Sequence, residues 1–457
     1  MRLGLDRDAD MPLVEQIVQG LARWLAERKV RAGTRMPSIR RLAIDNNVSA
    51  SSVVEAYARL VAQGVLTPRQ GSGFFAAQPP AAPATGQELY LADPRWAQFD
   101  PSAGKLRLGC GWVPDEWRAT EALGHAIRRV TREDPSAVFS YNQPLGLPAL
   151  RAQLQRRLAS VHIHAGIEQI LTTQGASHGL DLIARTLLRP GDTVIVEDPG
   201  YYNLFNLLAL HQARVLTVPR RKDGPDPDAL EALLREHQPQ LMFVNSLYQN
   251  PTGTSLSPRV AHRLLRLAEQ HDFLLVEDDI YADFQNAPGT RLAALDGLNR
   301  VIYVASFSKT LSCSLRVGYV TGPLAVVRQL AEVAQCTGLG TQRFAESVVA
   351  TLLASGAWRS SLERLRQRLA INMAQTLKGL AENGWEVFDE PQGGMFVWAR
   401  YPGATPAVYA EKAAALGVLL TPGAAFRPFD RPTDWLRLNV AYCTDPRARA
   451  FLREVAA

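Results

Sequence analysis

Ser306-Phe307-Ser308-Lys309-Thr310 places a lysine directly after an apolar run, residues 301–305, and among small hydroxyl residues. A lysine at the end of a buried strand can form an imine with an aldehyde cofactor, while hydroxyls, backbone N–H groups and an arginine hold that cofactor's phosphate. Arg316, seven residues on, supplies the arginine. Asp278-Asp279-Ile280-Tyr281 follows a second apolar run, residues 273–276, and so falls where open α/β sheets bind ligands. One of the two aspartates can pair with a protonated pyridine nitrogen and keep that ring an electron sink. Tyr281 can reach a phenolic oxygen on the same ring, and Asn250, in a turn after residues 241–244, can share it. Upstream, Gly175, Ala176 and Ser177 join a strand to a helix, and small residues at a helix amino end leave N–H groups for a phosphate. Asp198-Pro199-Gly200-Tyr201-Tyr202 adds an aromatic ring suited to stacking on a flat heterocycle.

Apolar runs at 170–173, 193–196, 215–218, 241–244, 273–276, 301–305 and 318–321 are short, mostly continuous and separated by helical segments. That pattern predicts a mainly parallel sheet covered on both faces. Residues 325–375 read as largely helical, and 393–398 with 436–440 as a smaller α/β lobe that returns Arg437 to the site.

The order Gly-Ala-Ser, Pro-x-Tyr, Asn-Pro-Thr-Gly, Asp-x-x-Tyr, Ser-x-Ser-Lys, Arg resembles the class I aminotransferases of fold type I, over roughly residues 105–455. These use pyridoxal 5'-phosphate. The resemblance implies that Lys309 is the aldimine lysine and Asp278 the pyridinium partner, with Asn250 and Tyr281 on the phenolic oxygen. It implies that Gly175, Ala176, Ser306 and Arg316 bind the phosphate, with Ser177 and Ser308 beside them, and that Tyr201 stacks on the ring. Arg437, in Trp435-Leu436-Arg437-Leu438-Asn439, would take a substrate or effector carboxylate, for which its planar fork is suited. Tyr141 matches the tyrosine that in this family reaches a neighbouring subunit's phosphate, which implies a homodimer.

The first part of the chain has another character. Leu13, Val14, Ile17, Val18, Leu21, Trp24 and Leu25 recur at helical spacing. Pro37-Ser38 opens a second helix with Ile39, Leu42 and Ala43 inward, and Val48-Ser49 a third in which Val53, Val54, Tyr57, Leu60 and Val61 pack. Two short strands, 64–66 and 71–75, form a wing around a glycine turn. Between Arg23 and Arg69 nine cations face three anions, a surplus equal to that of the whole chain, +6. The basic excess therefore lies where DNA would. Residues 12–76 resemble the winged helix of GntR-type bacterial regulators. Those often carry arginine after the serine that opens the recognition helix; here Ala50 stands there, and Ser51 and Ser52 are the next hydroxyls. Arg40, Ser51, Ser52, Arg69 and the Gly71 turn are the expected contacts to double-stranded DNA.

A proline- and alanine-rich stretch, 76–86, reads as a semi-rigid linker, and Leu89, Tyr90, Leu91, Trp96 and Phe99 as residues that dock on the large domain. The expected divisions are a winged helix-turn-helix domain over 1–78, a linker and docking segment over 79–104, and an aminotransferase-like domain over 105–457. This arrangement resembles, nearly end to end, the MocR subfamily of GntR regulators. It implies a transcription regulator in which pyridoxal phosphate on Lys309 senses a small amino compound, or the cofactor's own level; the alternatives are a working aminotransferase with an accessory amino-terminal module and a cofactor-binding protein whose DNA contact is incidental. No apolar run approaches the ~20 residues of a membrane span, and the start lacks the apolar core of a signal peptide, so the expected location is cytoplasmic. Cys110, Cys313, Cys336 and Cys443 are scattered and expected to be reduced, and no metal site is expected, since His162 and His164 lack acidic neighbours suited to one.

Overall fold

The computed structural model describes residues 1–77 apart from 8, 10 and 29, residues 98 and 99, and residues 104–457 apart from 286 and 287. Most of the expected linker and docking segment, Leu89, Tyr90, Leu91 and Trp96 included, thus lies outside the described residues, as does Lys29 of the basic cluster. The chain forms two compact units, Met1–Ala92 and Asp93–Ala457.

In the first unit, helices α1 (Leu13–Glu27), α2 (Ile39–Asn46) and α3 (Ala50–Ala62) precede strands β1 (Leu66–Arg69) and β2 (Gly73–Ala76). Ser38 caps α2 by accepting from the Arg41 N–H, and Ser49 caps α3 by accepting from the Ser52 N–H. Between them Asn47 takes a left-handed φ of 51°, which a short polar side chain tolerates, and turns the chain. Ile17, Leu21, Leu42, Val53, Tyr57 and Leu60 fill the core. Tyr57 ties the pieces together: its hydroxyl donates to Pro37 O at 2.7 Å and its ring meets Phe74 of the wing edge-on at 4.8 Å. Strands β1 and β2 pair antiparallel from Leu66 opposite Ala76 to Arg69 opposite Gly73. Both wing strands differ from the expected 64–66 and 71–75. The first begins at Leu66, because Gly64, at φ 71°, closes α3 with its N–H on Val61 O. The second begins at Gly73, because Gly71 and Ser72 form the turn, Ser72 N–H donating to Arg69 O at 2.9 Å. Val54 is half exposed, since the inward positions of α3 are 53, 56, 57 and 60.

The second unit is built on β3 (Ile170–Thr173), β4 (Thr193–Asp198), β5 (Arg214–Arg221), β6 (Gly224–Pro225), β7 (Leu241–Val244), β8 (Leu274–Asp278), β9 (Val301–Ser306) and β10 (Gly318–Thr321), in the spatial order β3-β10-β9-β8-β7-β4-β5-β6. Pairs β5 with β4, β4 with β7, β7 with β8 and β8 with β9 are parallel. Strand β10 is antiparallel to both of its neighbours. The connection 307–317 is too short for the crossover that a parallel return needs, about a dozen residues or more. The reversal has a functional consequence. Gly318 lies opposite both Ser306 and Thr173, so the segment that leads into β10, with Arg316, arrives at the carboxyl ends of β9 and β3.

A three-stranded antiparallel sheet, β11 (Glu386–Val387), β12 (Phe396–Arg400) and β13 (Leu436–Asn439), forms the smaller lobe. The helix Ala357–Glu382 touches both parts: Trp358 Nε1 donates to Thr310 Oγ1 at 3.4 Å and Asn372 Nδ2 to Val440 O at 3.0 Å. Among the described residues no helix is long and apolar enough to cross a membrane.

Candidate functional site

The carboxyl ends of β3, β8 and β9 converge on a cavity of about 230 Å3 lined by Ala176, Ser177, Tyr201, Asn250, Asp278, Tyr281, Ser306, Ser308, Lys309, Arg316 and Arg437. The residues singled out in the sequence as separate turns thus share one wall. Gly175 stands directly behind it, and Tyr141 is elsewhere.

Lys309 is held by Gly111, whose carbonyl accepts from Nζ at 2.7 Å, with Nζ 5.8 Å from the centre of the Tyr281 ring. Burial pushes the Lys309 pKa down, and the Arg437 and Arg118 cations add to that. Its neutral, nucleophilic form is therefore populated at a lower pH than in an exposed lysine. The structure separates the two adjacent aspartates. Asp279 turns away, to Arg291 Nε at 2.7 Å and the Tyr303 hydroxyl at 2.8 Å. Asp278 faces the cavity with no ion-pair partner among the described residues, accepting only a long contact from Ile280 N–H at 3.4 Å. Burial, with the Asp279 charge, raises its pKa to about 7. A cationic ring nitrogen would supply the missing partner.

At the far end, Ser306 donates to Ser308 Oγ at 2.9 Å, and Arg316 donates from Nη1 to Ser308 Oγ at 3.2 Å and from Nη2 to Gln174 O at 3.1 Å. The helix Ala176–Leu187 starts here without a side-chain cap, so its first N–H groups and its dipole face the same corner. Gly175, at φ 80°, is needed twice: for that backbone conformation, and because a Cβ there would lie 2.5 Å from Arg316 Nη2. Hydroxyls, a guanidinium and a helix amino terminus form a cradle for a phosphate.

Tyr201 and Tyr281 stay protonated, burial pushing the first to about 12 and the second well above the ordinary value, so both remain hydrogen-bond donors. Arg437 is buried between the rings of Phe396 and Phe426, 4.4 and 4.5 Å from its guanidinium carbon. It donates to Asn250 Oδ1 at 2.7 Å and Gly109 O at 2.6 Å, yet no carboxylate pairs with it among the described residues and its Nε has no partner. A buried, incompletely partnered guanidinium at a cavity wall is a site for an anion. Lysine, ring-nitrogen partner, phenolic-oxygen donors, phosphate cradle and this arginine together fit pyridoxal phosphate and an amino compound with a carboxylate.

Sequence reading missed Gly109, Gly111, Trp112 and Arg118. The loop 109–112 contributes through backbone carbonyls, which no residue type announces. Arg118 donates to Leu311 O and to Cys313 Sγ, at 3.3 and 3.4 Å, from a segment without a motif. Cys313, read as packing, lines the cavity. Tyr141 is 81% exposed and lines a separate surface depression that also includes Gln174 and Arg316. Among the described residues no three His, Cys, Asp or Glu side chains form a group able to hold a metal ion.

On the winged unit, Arg40, Ser51, Arg69 and Gly71 are exposed and Ser52 half exposed. Ser51 and Ser52 hydroxyls both meet Ser49 Oγ, at 2.7 and 2.8 Å, at the start of α3. Gly71 turns the wing at φ 70°, and Arg69 lies over the Phe75 ring at 4.4 Å. The surplus charge is not all available: Arg41 pairs with Asp45, and Arg59 with Glu15 and Glu55.

Fold and site define a pyridoxal phosphate protein of aminotransferase type that carries a winged helix-turn-helix module. Comparison with known proteins agrees for both parts. Residues 103–455 match the family described as aminotransferase class I and II, and residues 13–76 the bacterial regulatory proteins of the gntR family. The chain is 30% identical to the probable rhizopine catabolism regulatory protein MocR of Rhizobium meliloti, over 87% of this chain and 84% of that protein. It is 25% identical to the uncharacterized HTH-type transcriptional regulator YdfD of Bacillus subtilis, over 95% and 93%. Among solved structures it is similar to LysN, the alpha-aminoadipate aminotransferase of Thermus thermophilus, complexed with N-(5'-phosphopyridoxyl)-L-leucine: 28% identity, TM-score 0.72, covering 81% of this chain and 95% of that one. The multiple substrate aminotransferase of Thermococcus profundus gives 27% identity and a TM-score of 0.73, over 82% and 94%. The chain belongs to the aminotransferase class I and II family and, with its GntR-type module, to the MocR subfamily of transcription regulators. It is a pyridoxal phosphate-dependent regulator, and its amino-terminal module binds DNA.

Proposed function

We propose that the regulator senses a small amino compound at the Lys309 cavity and reports it through the affinity of its winged helices for double-stranded DNA. The observation that supports this most is the buried, carboxylate-free Arg437 in the same cavity as Lys309 and the phosphate cradle. Pyridoxal phosphate, when bound, supplies an aldehyde carbon for an amino group and a ring that draws electrons from it. Lys309 would anchor it, Asp278 would hold a proton on its ring nitrogen, and Asn250 and Tyr281 would donate to its phenolic oxygen. Tyr201 would cover a ring face. Gly175, Ala176, Ser177, Ser306, Ser308 and Arg316 would surround the phosphate. Arg437 would hold the carboxylate of an amino compound whose amino group takes the place of the Lys309 amine. Since Arg437 lies on β13, that pairing favours one position of the smaller lobe, and the ligand shifts the equilibrium by its differential affinity for the two states.

The exposure of Tyr141 beside Arg316 supports a homodimer in which this tyrosine reaches the other subunit's phosphate. Division into a DNA-binding domain over 1–78, a linker over 79–104 and a sensor domain over 105–457, acting in the cytoplasm, completes the reading. Arg40, Ser51, Ser52, Arg69 and the Gly71 turn are its DNA contacts. Turnover as a transaminase is the second reading, favoured by the lowered pKa of Lys309, which suits it to move a proton at the ligand's α-carbon. Titrating the loaded protein with amino compounds while recording cofactor absorbance and DNA affinity tests the proposal. Coupled changes are expected; turnover without any change in DNA affinity favours the second reading.

A further inference from the structure

The sensing site also carries information on what it senses, and the inference that follows rests on the proposal that an amino compound binds there. With the cofactor's requirements met, the charged groups of the cavity divide without remainder among the described residues. Asp278 serves the ring nitrogen, Arg316 the phosphate and Lys309 the aldehyde carbon, which leaves Arg437 alone for the ligand. One cation suits one carboxylate. A second carboxylate, or a second ammonium on the ligand's side chain, meets no counter-charge among the described residues of this subunit's cavity, and a charge buried unpaired costs several times what a hydrogen bond contributes.

What remains of the wall is apolar and largely aromatic. Trp112, next in sequence to the Gly111 that holds Lys309, packs against Phe99 with ring centres 5.2 Å apart. Tyr202, on the same wall, lies edge-on to Phe426, centres 5.6 Å apart, and Phe426 itself flanks the Arg437 guanidinium at 4.5 Å. Cys313 closes the wall with a thiol whose hydrogen is already given to Ser308 O at 3.0 Å. Asp198, a carboxylate close in sequence, is taken up by two contacts from Arg427, both at 2.9 Å, and does not line the cavity.

We infer that the effector is a monocarboxylic α-amino acid with an uncharged, apolar and preferentially aromatic side chain, seated between Trp112 and Tyr202 with its carboxylate on Arg437. The side chain contributes by burying area against these rings, of which Tyr202 is already packed edge-on against Phe426.

The test titrates the full-length protein, loaded with pyridoxal phosphate, with L-phenylalanine, L-alanine, L-glutamate and L-lysine, following the absorbance of the bound cofactor. L-Phenylalanine should half-saturate the change at a concentration at least about tenfold below each of the other three. In Trp112→Ala and the milder Trp112→Leu, either of which is taken as folded at this site if it keeps the cofactor band, the phenylalanine-to-alanine ratio should shrink toward one. A response to L-glutamate or L-lysine as tight as that to L-phenylalanine, or a ratio unmoved in both variants, overturns the assignment of the side-chain pocket while leaving the sensing site intact. If none of the four amino acids perturbs the cofactor, sensing of amino acids at this site fails, and the inference with it.

Discussion

Arg437 Nη1 donates to Asn250 Oδ1 at 2.7 Å, joining the residue proposed to take a ligand's carboxylate to the one proposed to reach the cofactor's phenolic oxygen. The two sites are therefore one hydrogen-bonded unit that spans the large sheet and the smaller lobe. Asn250→Ala should weaken cofactor and amino acid together, each by ~1.5–3 kcal/mol, the range for hydrogen bonds to charged groups. Equilibrium dialysis of cofactor, and absorbance titration with amino acid, measure the two losses. Loss of only one would show that the residues act separately.

Lys309→Ala removes the only amine in the cavity among the described residues. The visible absorbance band of covalently held cofactor should vanish, while the phosphate cradle still retains the cofactor non-covalently at reduced affinity. An unchanged band in this variant would assign the covalent link to another lysine.

Gly175→Ala places a methyl 2.5 Å from Arg316 Nη2, on a backbone at φ 80°. With ψ at 171° this is a region essentially reserved for glycine, and holding another residue there costs about 1–3 kcal/mol; the displaced guanidinium also leaves the cradle. Reduced melting temperature and weakened binding of cofactor are expected together. A variant that melts lower yet binds cofactor as tightly as wild type would separate Arg316 from the phosphate.

Asp278 gives a pH dependence whose sign is fixed by its raised pKa. In the protein without cofactor the folded state keeps a proton on this carboxyl up to about pH 7, whereas the unfolded chain releases it near the model-compound value of 3.8. Stability from this group is therefore present below 3.8 and lost as pH rises toward 7. Asp278→Asn should remove that decline, by on the order of 1–3 kcal/mol across the window after allowing for the carboxyl's contact with solvent. Cofactor loading should also flatten it in the wild type. Denaturant melts across the window decide; parallel wild-type and variant curves would contradict the buried, unpaired carboxyl.

Arg40→Ala with Arg69→Ala removes two exposed cations from the winged unit. If both meet phosphates, the slope of log affinity against log salt should fall in magnitude by about 2, since each contact contributes ~0.9. An unchanged slope would place the DNA elsewhere.

Much of this was legible in the sequence because strand-end motifs name their own chemistry. Ser306 to Lys309, Asp278 to Tyr281 and Asn250 each follow a continuous apolar run, and a parallel sheet gathers such ends on one edge. The antiparallel course of β10 was less visible, although the short 307–317 connection carried the signal, and that reversal is what delivers Arg316. Which of Asp278 and Asp279 faces the cavity depended on Arg291 and Tyr303, distant in sequence, capturing one of them. Gly109 and Gly111 act through carbonyl oxygens that every residue has. In the winged unit the caps Ser38 and Ser49 marked both helix starts, but Val54 looked inward by hydrophobicity alone until α3 was phased by Val53, Tyr57 and Leu60.

In the proposed function the Lys309 cavity controls DNA affinity. The most direct measurement is the affinity of the full-length protein for a duplex selected from a random pool. It is compared without cofactor, with pyridoxal phosphate, and with pyridoxal phosphate plus an equimolar mixture of the twenty amino acids, in wild type and in Lys309→Ala. A change in affinity among the wild-type states that Lys309→Ala abolishes is the expected result. Equal affinity in all wild-type states, or the same changes in Lys309→Ala, would contradict it.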